Sequence, residues 1–534
     1  MTVIDILDIA PFEDELPGDF ADRLGTDYSA SVTKSHKKQN GQFFTPTAIA
    51  RFTGGLAGSP KERVRILDPG CGTAILTCAL VEKLTGGAEN LRAIDVTAYE
   101  TDQEILPYTE RAFEYLKAWL KSRSIELVYK IISKDFILEN ARVFEDGHTI
   151  SLFDRPQQEQ IDYIISNPPY FKLSKEDPRT KVSGSVVSGQ PNIYALFMAV
   201  ASRLLTDDGE FIFITPRSFA SGNYFRAFRE FFFTNLQVSR IHLFASRKET
   251  FNRDDVLQEL LIMKATPLKR NAPLPEMIVS SSHGLKDLDS SREKTYPQFQ
   301  LIDLNSREKI LHLPVSGAEE DVINIFRNWN HRLRDYGIEI STGPVVAFRA
   351  RKFIRERFEN GKVVLAPLYW LHNVIKMSIE WPVHKIGKGQ YIEICDASEP
   401  VLIPNRNYVL LQRFSAKDDK SRLIAAPYFV NPNEPDYIGV ENKLNYIYRP
   451  KGELERSEAV GLAALLNSKL FDTYFRTFNG NVNVSATELR EIPLPPLETI
   501  KEIGNRIIQD NDFAESKVGA TVAEFFNPEE ITSV

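Results

Sequence analysis

The sequence predicts an open α/β fold, a mostly parallel sheet wound by helices, followed by a separate α+β region. Three observations carry that expectation. Ile161-Asp162-Tyr163-Ile164-Ile165-Ser166 is a short, largely apolar run that reads as a strand covered on both faces, and Asn167-Pro168-Pro169-Tyr170 halts it abruptly. Val64–Asp68 reads as a second strand, running through Pro69 into a Gly70-Cys71-Gly72 turn and then an apolar helix containing Ile75, Leu76, Cys78, Ala79 and Leu80. Finally, 534 residues exceed one hydrophobic core, and every segment with recognisable chemistry is used up by Ala265.

Composition narrows the class. With 43% hydrophobic and 26% charged residues the chain is an ordinary globular protein. A net charge of −7 does not announce a nucleic-acid binder, so any such surface must be a local patch. Cys71, Cys78 and Cys395 have neither metal-ligand spacing nor a disulfide pattern, which predicts a cytoplasmic protein without a metal. No apolar stretch reaches membrane-spanning length, and the first residues are acidic where a signal peptide would be basic.

Taken in order, residues 1–28 are acidic and weakly patterned and read as a loosely held extension. Thr45-Pro46 followed by Ala48, Ile49 and Phe52 reads as an N-cap, a proline at the first helical position and an apolar stripe. After the glycine turn, Ile94–Glu100 is a strand ending in a carboxylate suited to both hydroxyls of a ribose. The strand Leu127–Ile132 leads to Asp135-Phe136, an acid and an aromatic that could flank an adenine. Asp68, at the start of the glycine turn, suits a ligand with an ammonium group rather than a pyrophosphate. Beyond Tyr170, Lys172, Lys175, Arg179 and Lys181 precede a Gly- and Ser-containing loop, a candidate lid or backbone clamp. Strands at Glu210–Pro216, Val238–Phe244 and Leu257–Ala265 follow, the last two as an antiparallel pair closing a seven-stranded sheet.

The strand stop is the centre of this organisation. The prolines cannot donate to a sheet ladder, so the Pro168 carbonyl is left without a strand partner beside the Asn167 amide and the Tyr170 ring. Two acceptors and one flat ring suit a planar exocyclic amine. The acceptors take its two hydrogens and favour a tetrahedral nitrogen, which localises the lone pair needed for attack. The four residues alone read equally well as a strand-ending turn with a packing tyrosine; the rest of the chain decides.

In combination these segments resemble the AdoMet-dependent amino-methyltransferases of DNA, N6-adenine branch, gamma subtype, as found in restriction-modification systems. Gly41-Gln42-Phe43-Phe44-Thr45-Pro46 matches the family's N-terminal cofactor motif, and Asp68-Pro69-Gly70-Cys71-Gly72-Thr73 its glycine motif. Glu100 matches the ribose-binding acid, Asp135-Phe136 the adenine-flanking pair, and Asn167-Pro168-Pro169-Tyr170 the catalytic motif. Phe251 falls where the family carries an aromatic that packs, with Tyr170, against a flipped target base. The resemblance implies a Rossmann-like catalytic domain over 29–265, S-adenosyl-L-methionine as cofactor, double-stranded DNA as partner and base flipping. It leaves room for a separately encoded restriction endonuclease, and a monomer is expected. Protein glutamine and RNA guanine methyltransferases share motifs of the Asn-Pro-Pro-Tyr kind and form the rival reading.

In the second half, prolines at 267, 273 and 275 and serine runs predict a linker with short strands over 266–310. A DNA target-recognition domain is expected over 311–500 and a tail over 501–534. Arg349, Arg351, Lys352 and Arg355, interleaved with Phe353 and Phe358, are the densest basic-aromatic run and, with Lys172 and Lys175, the candidate DNA-backbone contacts. Pro435-Asp436 with Glu441-Asn442-Lys443 has a nuclease-like spacing, but the gap is short and the segment reads as a loop.

Overall fold

Arg63–Pro69 (β1) sits mid-sheet, and its last four residues are all buried, as a strand with helices on both faces requires. It belongs to the computed structural model described here, which covers residues 9–42, 44–87, 89–145, 160–184, 186–187, 191–244, 259–269, 276–288, 290–356, 363–415, 419–480 and 482–526. The chain divides into two units, Met1–Val315 and Ser316–Val534. No described helix is long and apolar enough to cross a membrane.

The first unit is built on one sheet. Ala93–Tyr99 (β2) and Glu126–Ile132 (β3) lie parallel on one side of β1; Ile161–Ser166 (β4) and Leu205–Pro216 (β5) lie parallel on the other. Leu236–Phe244 (β6) and Leu260–Pro267 (β7) follow, with β7 inserted antiparallel between β5 and β6. Strand order therefore reverses between β1 and β4, which makes their carboxyl ends a topological switch point, the place where open α/β sheets bind ligands. A hydrogen bond of 2.5 Å from the Ser166 hydroxyl to the Pro69 carbonyl ties the two ends together.

The sheet has nine described strands rather than seven. Glu276–Ser282 (β8) pairs parallel with β6, and Arg292–Pro297 (β9) pairs antiparallel with β8. The expected linker over 266–310 thus supplies two sheet strands. Its serines misled: Ser280 and Ser282 are buried, and their hydroxyls meet the two ring nitrogens of buried His242 at 2.9 and 3.0 Å. Burial pushes His242 down to about 4, so it is a neutral partner inside the sheet.

The expected loose extension is also corrected. Pro17–Ser31 is a helix with proline in its first turn, and it buries Phe20, Leu24 and Tyr28, a one-faced stripe at intervals of four, in the main core. The second unit starts at 316 rather than 311, and the expected tail belongs to it. Leu497–Asp510 packs on Arg456–Asn467, and a Cβ on Gly504 would lie 1.9 Å from the Ser457 carbonyl oxygen. Around these helices stand a four-stranded antiparallel sheet and a five-stranded mixed sheet, an α+β arrangement.

Candidate active site

Three chain segments meet at the switch point around an open cleft. The glycine turn forms its floor. Gly70 (φ +79) and Gly72 (φ +53) take left-handed backbone that a side chain would strain, and the Gly70 and Cys71 N–H groups both donate to the Tyr99 carbonyl at 2.9 Å. The N-terminal motif forms one wall. At Gly41 (φ +61) a Cβ would come within 2.7 Å of the Phe171 ring and 3.2 Å of the Tyr170 nitrogen, so only glycine lets this segment lie on the Asn-Pro-Pro-Tyr turn. The turn itself closes the far side.

Phe44, Thr45, Gly70, Cys71, Gly72, Glu100, Asp135, Phe136, Asn167 and Pro169 line this one cleft. Glu100 is fixed by backbone: Oε2 accepts the Gly72 N–H at 3.0 Å, while Oε1 accepts those of Thr101 and Asp102 at 2.8 and 2.9 Å. Burial pushes its carboxyl above the usual range despite these bonds. Asp135 Oδ1 caps a helical turn by accepting the Ile137 and Leu138 N–H groups, both at 2.9 Å, and Oδ2 faces Arg179 at 3.4 Å. Phe136 stands against Tyr99 and Phe197, with centroids at 5.1 and 5.3 Å.

Other expected residues sit differently. Asp68 lies buried beneath the glycine turn: Oδ2 accepts the Thr77 hydroxyl at 2.6 Å, and Oδ1 has no hydrogen-bond partner. Burial raises its carboxyl to about 7, against the Thr77 bond and helped by the Glu100 charge. Pro46 does not open the helix as its first residue; it is the N-cap of Thr47–Gly55, its carbonyl accepting the Ala50 N–H at 3.0 Å. Thr45 does not cap. Its buried hydroxyl instead accepts the Asn167 side-chain N–H at 3.0 Å, joining the N-terminal wall to the turn. That bond points the Asn167 oxygen the other way, where it accepts the Tyr170 hydroxyl. Tyr170 is itself buried, edge-on to Tyr194, rather than displayed as a stacking platform. Pro168 is buried, and Phe251 lies outside the described residues.

The basic candidates are scattered. Lys172 and Lys175 are exposed just beyond the turn, while Arg349, Arg351, Lys352 and Arg355 belong to the second unit. Arg355 is already engaged, paired with Glu393 at 2.6 Å and donating to two carbonyls. Glu441, half of the nuclease-like spacing, is buried against Lys388 at 3.6 Å. Among the described residues no group of three or more His, Cys, Asp or Glu could hold a metal ion.

Residues 84–251 match the Eco57I restriction-modification methylase family. Over 476 residues the chain is 32% identical to the type II methyltransferase M.BsuBI of Bacillus subtilis, spanning 89% of this chain and 91% of that protein. The chain belongs to the type II restriction-modification methyltransferases. It is also 29% identical to the type II methyltransferase M.PstI of Providencia stuartii, spanning 92% of this chain and 93% of that one. Among solved structures, the type IIL restriction-modification enzyme MmeI, determined in complex with DNA, shares the fold at a TM-score of 0.50 and 12% identity, over 96% of this chain and 72% of that one.

In this type II methyltransferase the cleft role of Lys134 and the part played by Asp102 escaped the sequence, and Arg179, read there as part of a candidate lid or clamp, faces the cleft. Arg179 and Lys134 line the cleft, Arg179 held by Asp177 through bonds of 2.8 and 2.7 Å. Asp102 anchors the N-terminal wall, accepting from Tyr28 at 2.5 Å, Gln42 at 2.6 Å and Asn40 at 3.3 Å, with His36 at 2.7 Å. Burial opposes the Asp102 charge, but the bonds from Tyr28 and His36 outweigh it and hold the carboxyl below its usual range. Only its place two residues beyond Glu100 could have drawn notice.

Proposed function

We propose that this methyltransferase transfers a methyl group from S-adenosyl-L-methionine (AdoMet) to the N6 amino group of an adenine in a specific double-stranded DNA sequence, as the modification enzyme of a restriction-modification system. One observation carries the reading: the Asn167 side chain lines a cleft whose floor and walls suit that cofactor.

The cleft residues fit AdoMet on their own chemistry. Beneath the cleft floor, Asp68 Oδ1, buried without a partner, suits the cofactor's ammonium, which would restore the carboxylate's charge. Backbone bonds take both acceptor sites of Glu100 Oε1 but leave one on Oε2, open to a ribose hydroxyl. Phe136 and Asp135 offer a ring face and an edge acceptor to an adenine, and Gly70 and Gly72 let backbone come close. AdoMet supplies a methyl group on a sulfonium, so the protein's part is positioning and electrostatics.

The residues of the turn then divide the work. Thr45 fixes the Asn167 amide so that its oxygen, not its nitrogen, faces the acceptor position. That oxygen and the Pro168 carbonyl take the two hydrogens of the target amine and draw its lone pair out of conjugation. The Tyr170 hydroxyl holds the same oxygen, so the amine shares or replaces that bond as it arrives. The base must leave the duplex to reach this depth, at a cost of a few kcal/mol. The second unit selects the sequence, and a separately encoded endonuclease reads the same site.

Similarity across nine-tenths of the chain to type II methyltransferases favours DNA over protein or RNA. The test is label transfer from methyl-tritiated AdoMet to duplex DNA, RNA or a protein extract. Incorporation into DNA alone is expected, and incorporation only into RNA or protein would overturn the reading.

A further inference from the structure

A hairpin over 383–389 in the second unit ends in an exposed isoleucine that the fold holds rigidly. Ile386 has a relative exposure of 107%, so its side chain gains nothing from burial in its own protein. Lys385-Ile386-Gly387-Lys388 is a tight turn: the Lys388 N–H donates to the Lys385 carbonyl at 3.0 Å, and Gly387 (φ +73) is the left-handed residue a type II turn demands. Buried Gln390 clamps both arms. Its Oε1 accepts the Val383 N–H at 3.0 Å, and its Nε2 donates to the Val383 and Lys388 carbonyls, both at 2.9 Å. The Trp370 indole N–H donates to the Gly389 carbonyl at 2.7 Å.

Lys385, next to the tip, has no acidic partner among the described residues. Buried Glu441 pairs with Lys388 at 3.6 Å, and its neighbours root a second loop: the Val345 N–H donates to the Val440 carbonyl at 3.0 Å, and the Asn442 N–H donates to the Val345 carbonyl at 2.9 Å. That loop exposes Phe348 beside Arg349, Arg351 and Lys352. None of Arg349, Arg351 and Lys352 has an acidic partner among the described residues either, in a chain of net charge −7.

Lone surface aliphatics are common and need no explanation. A buttressed aliphatic tip next to a free cation does, because phosphate contact alone needs no isoleucine. The geometry points to Ile386 as a wedge that enters duplex DNA between two stacked base pairs, while these cations hold the flanking phosphates. This rests on the DNA reading above. An apolar wedge unstacks one step and kinks the duplex, and a preformed turn does so without an ordering cost at binding. The step entered should be a flexible pyrimidine–purine step, so the hairpin would add selectivity through deformability rather than base contacts.

The test uses the full-length protein and a duplex carrying its methylation site, with a donor and an acceptor dye on opposite ends. Wild type should shorten the end-to-end distance. Ile386→Ser should abolish the bend and weaken binding by about tenfold, with the salt dependence unchanged, while Ile386→Leu keeps both properties. Arg351→Ala with Lys352→Ala should keep the bend and lower the slope of log K against log salt by about 2. Wild-type bending and affinity in Ile386→Ser would overturn the wedge. So would a change in the sedimentation of free Ile386→Ser with bending intact, which would make the tip a contact between copies. A duplex that wild type neither binds nor methylates would overturn the DNA reading, and the wedge with it.

Discussion

Replacing Thr45 with valine removes one oxygen from a buried site and changes almost nothing else in shape. The Thr45 hydroxyl accepts the Asn167 side-chain N–H at 3.0 Å and is itself only 3% exposed, so water cannot easily stand in for it. Leaving the Asn167 N–H unsatisfied costs about 1–3 kcal/mol. The amide can escape that cost by turning over, which puts a donor where the target amine needs an acceptor. Either outcome removes stabilisation present at the moment of transfer, so kcat should fall by about 5- to 150-fold. Single-turnover transfer of a tritiated methyl group reads the effect, with the AdoMet dissociation constant measured separately. Thr45→Ser keeps the acceptor and should recover most of the rate. Wild-type turnover in Thr45→Val, equal impairment of Thr45→Ser, or a loss lying wholly in AdoMet affinity would contradict this role of Thr45.

Glu100→Ala should weaken AdoMet binding by about 10- to 100-fold in calorimetry, through a lost bond to a carboxylate, with DNA affinity unchanged. Unaltered AdoMet affinity would remove Glu100 from the ribose site. Asp68, raised to about 7, keeps its proton below that pH in the free protein, and an ammonium favours the ionised form. AdoMet binding should therefore tighten as pH rises from about 6 to 8 and release a proton, and Asp68→Asn should flatten that dependence. The same shift means that free-protein stability contributed by protonated Asp68 is lost as pH climbs through about 7, so the melting temperature of wild type should fall relative to Asp68→Asn there. Gly504→Ala places a Cβ 1.9 Å from the Ser457 carbonyl oxygen and should cost about 3 kcal/mol or more in chemical denaturation; a neutral result would contradict the close helix packing.

What could be read from sequence follows from the range of the interactions. The stop at Pro168-Pro169 and the turn at Gly70 and Gly72 are local demands of backbone chemistry, so their placement at strand ends was legible. Glu100 and Asp135 were legible because each ends or follows a recognisable strand. The Thr45–Asn167 bond was not, because its partners are 122 residues apart and each has a plausible local role. Ser280 and Ser282 imitate a linker until His242 is seen between their hydroxyls. The acids around Phe20, Leu24 and Tyr28 hid a stripe that periodicity alone would have shown. Tyr170 was expected to face a base, but a hydroxyl buried beside Asn167 is a tertiary outcome that residue type does not dictate.

On the proposed function, Asn167 makes this chain an adenine N6 methyltransferase of DNA. The most direct test is mass spectrometry of nucleosides digested from the DNA of a host lacking its own adenine methylation and expressing the chain. N6-methyladenine should accumulate with wild type and be absent with Asn167→Ala, whose AdoMet binding is retained. N4-methylcytosine in its place, no methylated base at all, or equal N6-methyladenine from the Asn167→Ala protein would contradict the account.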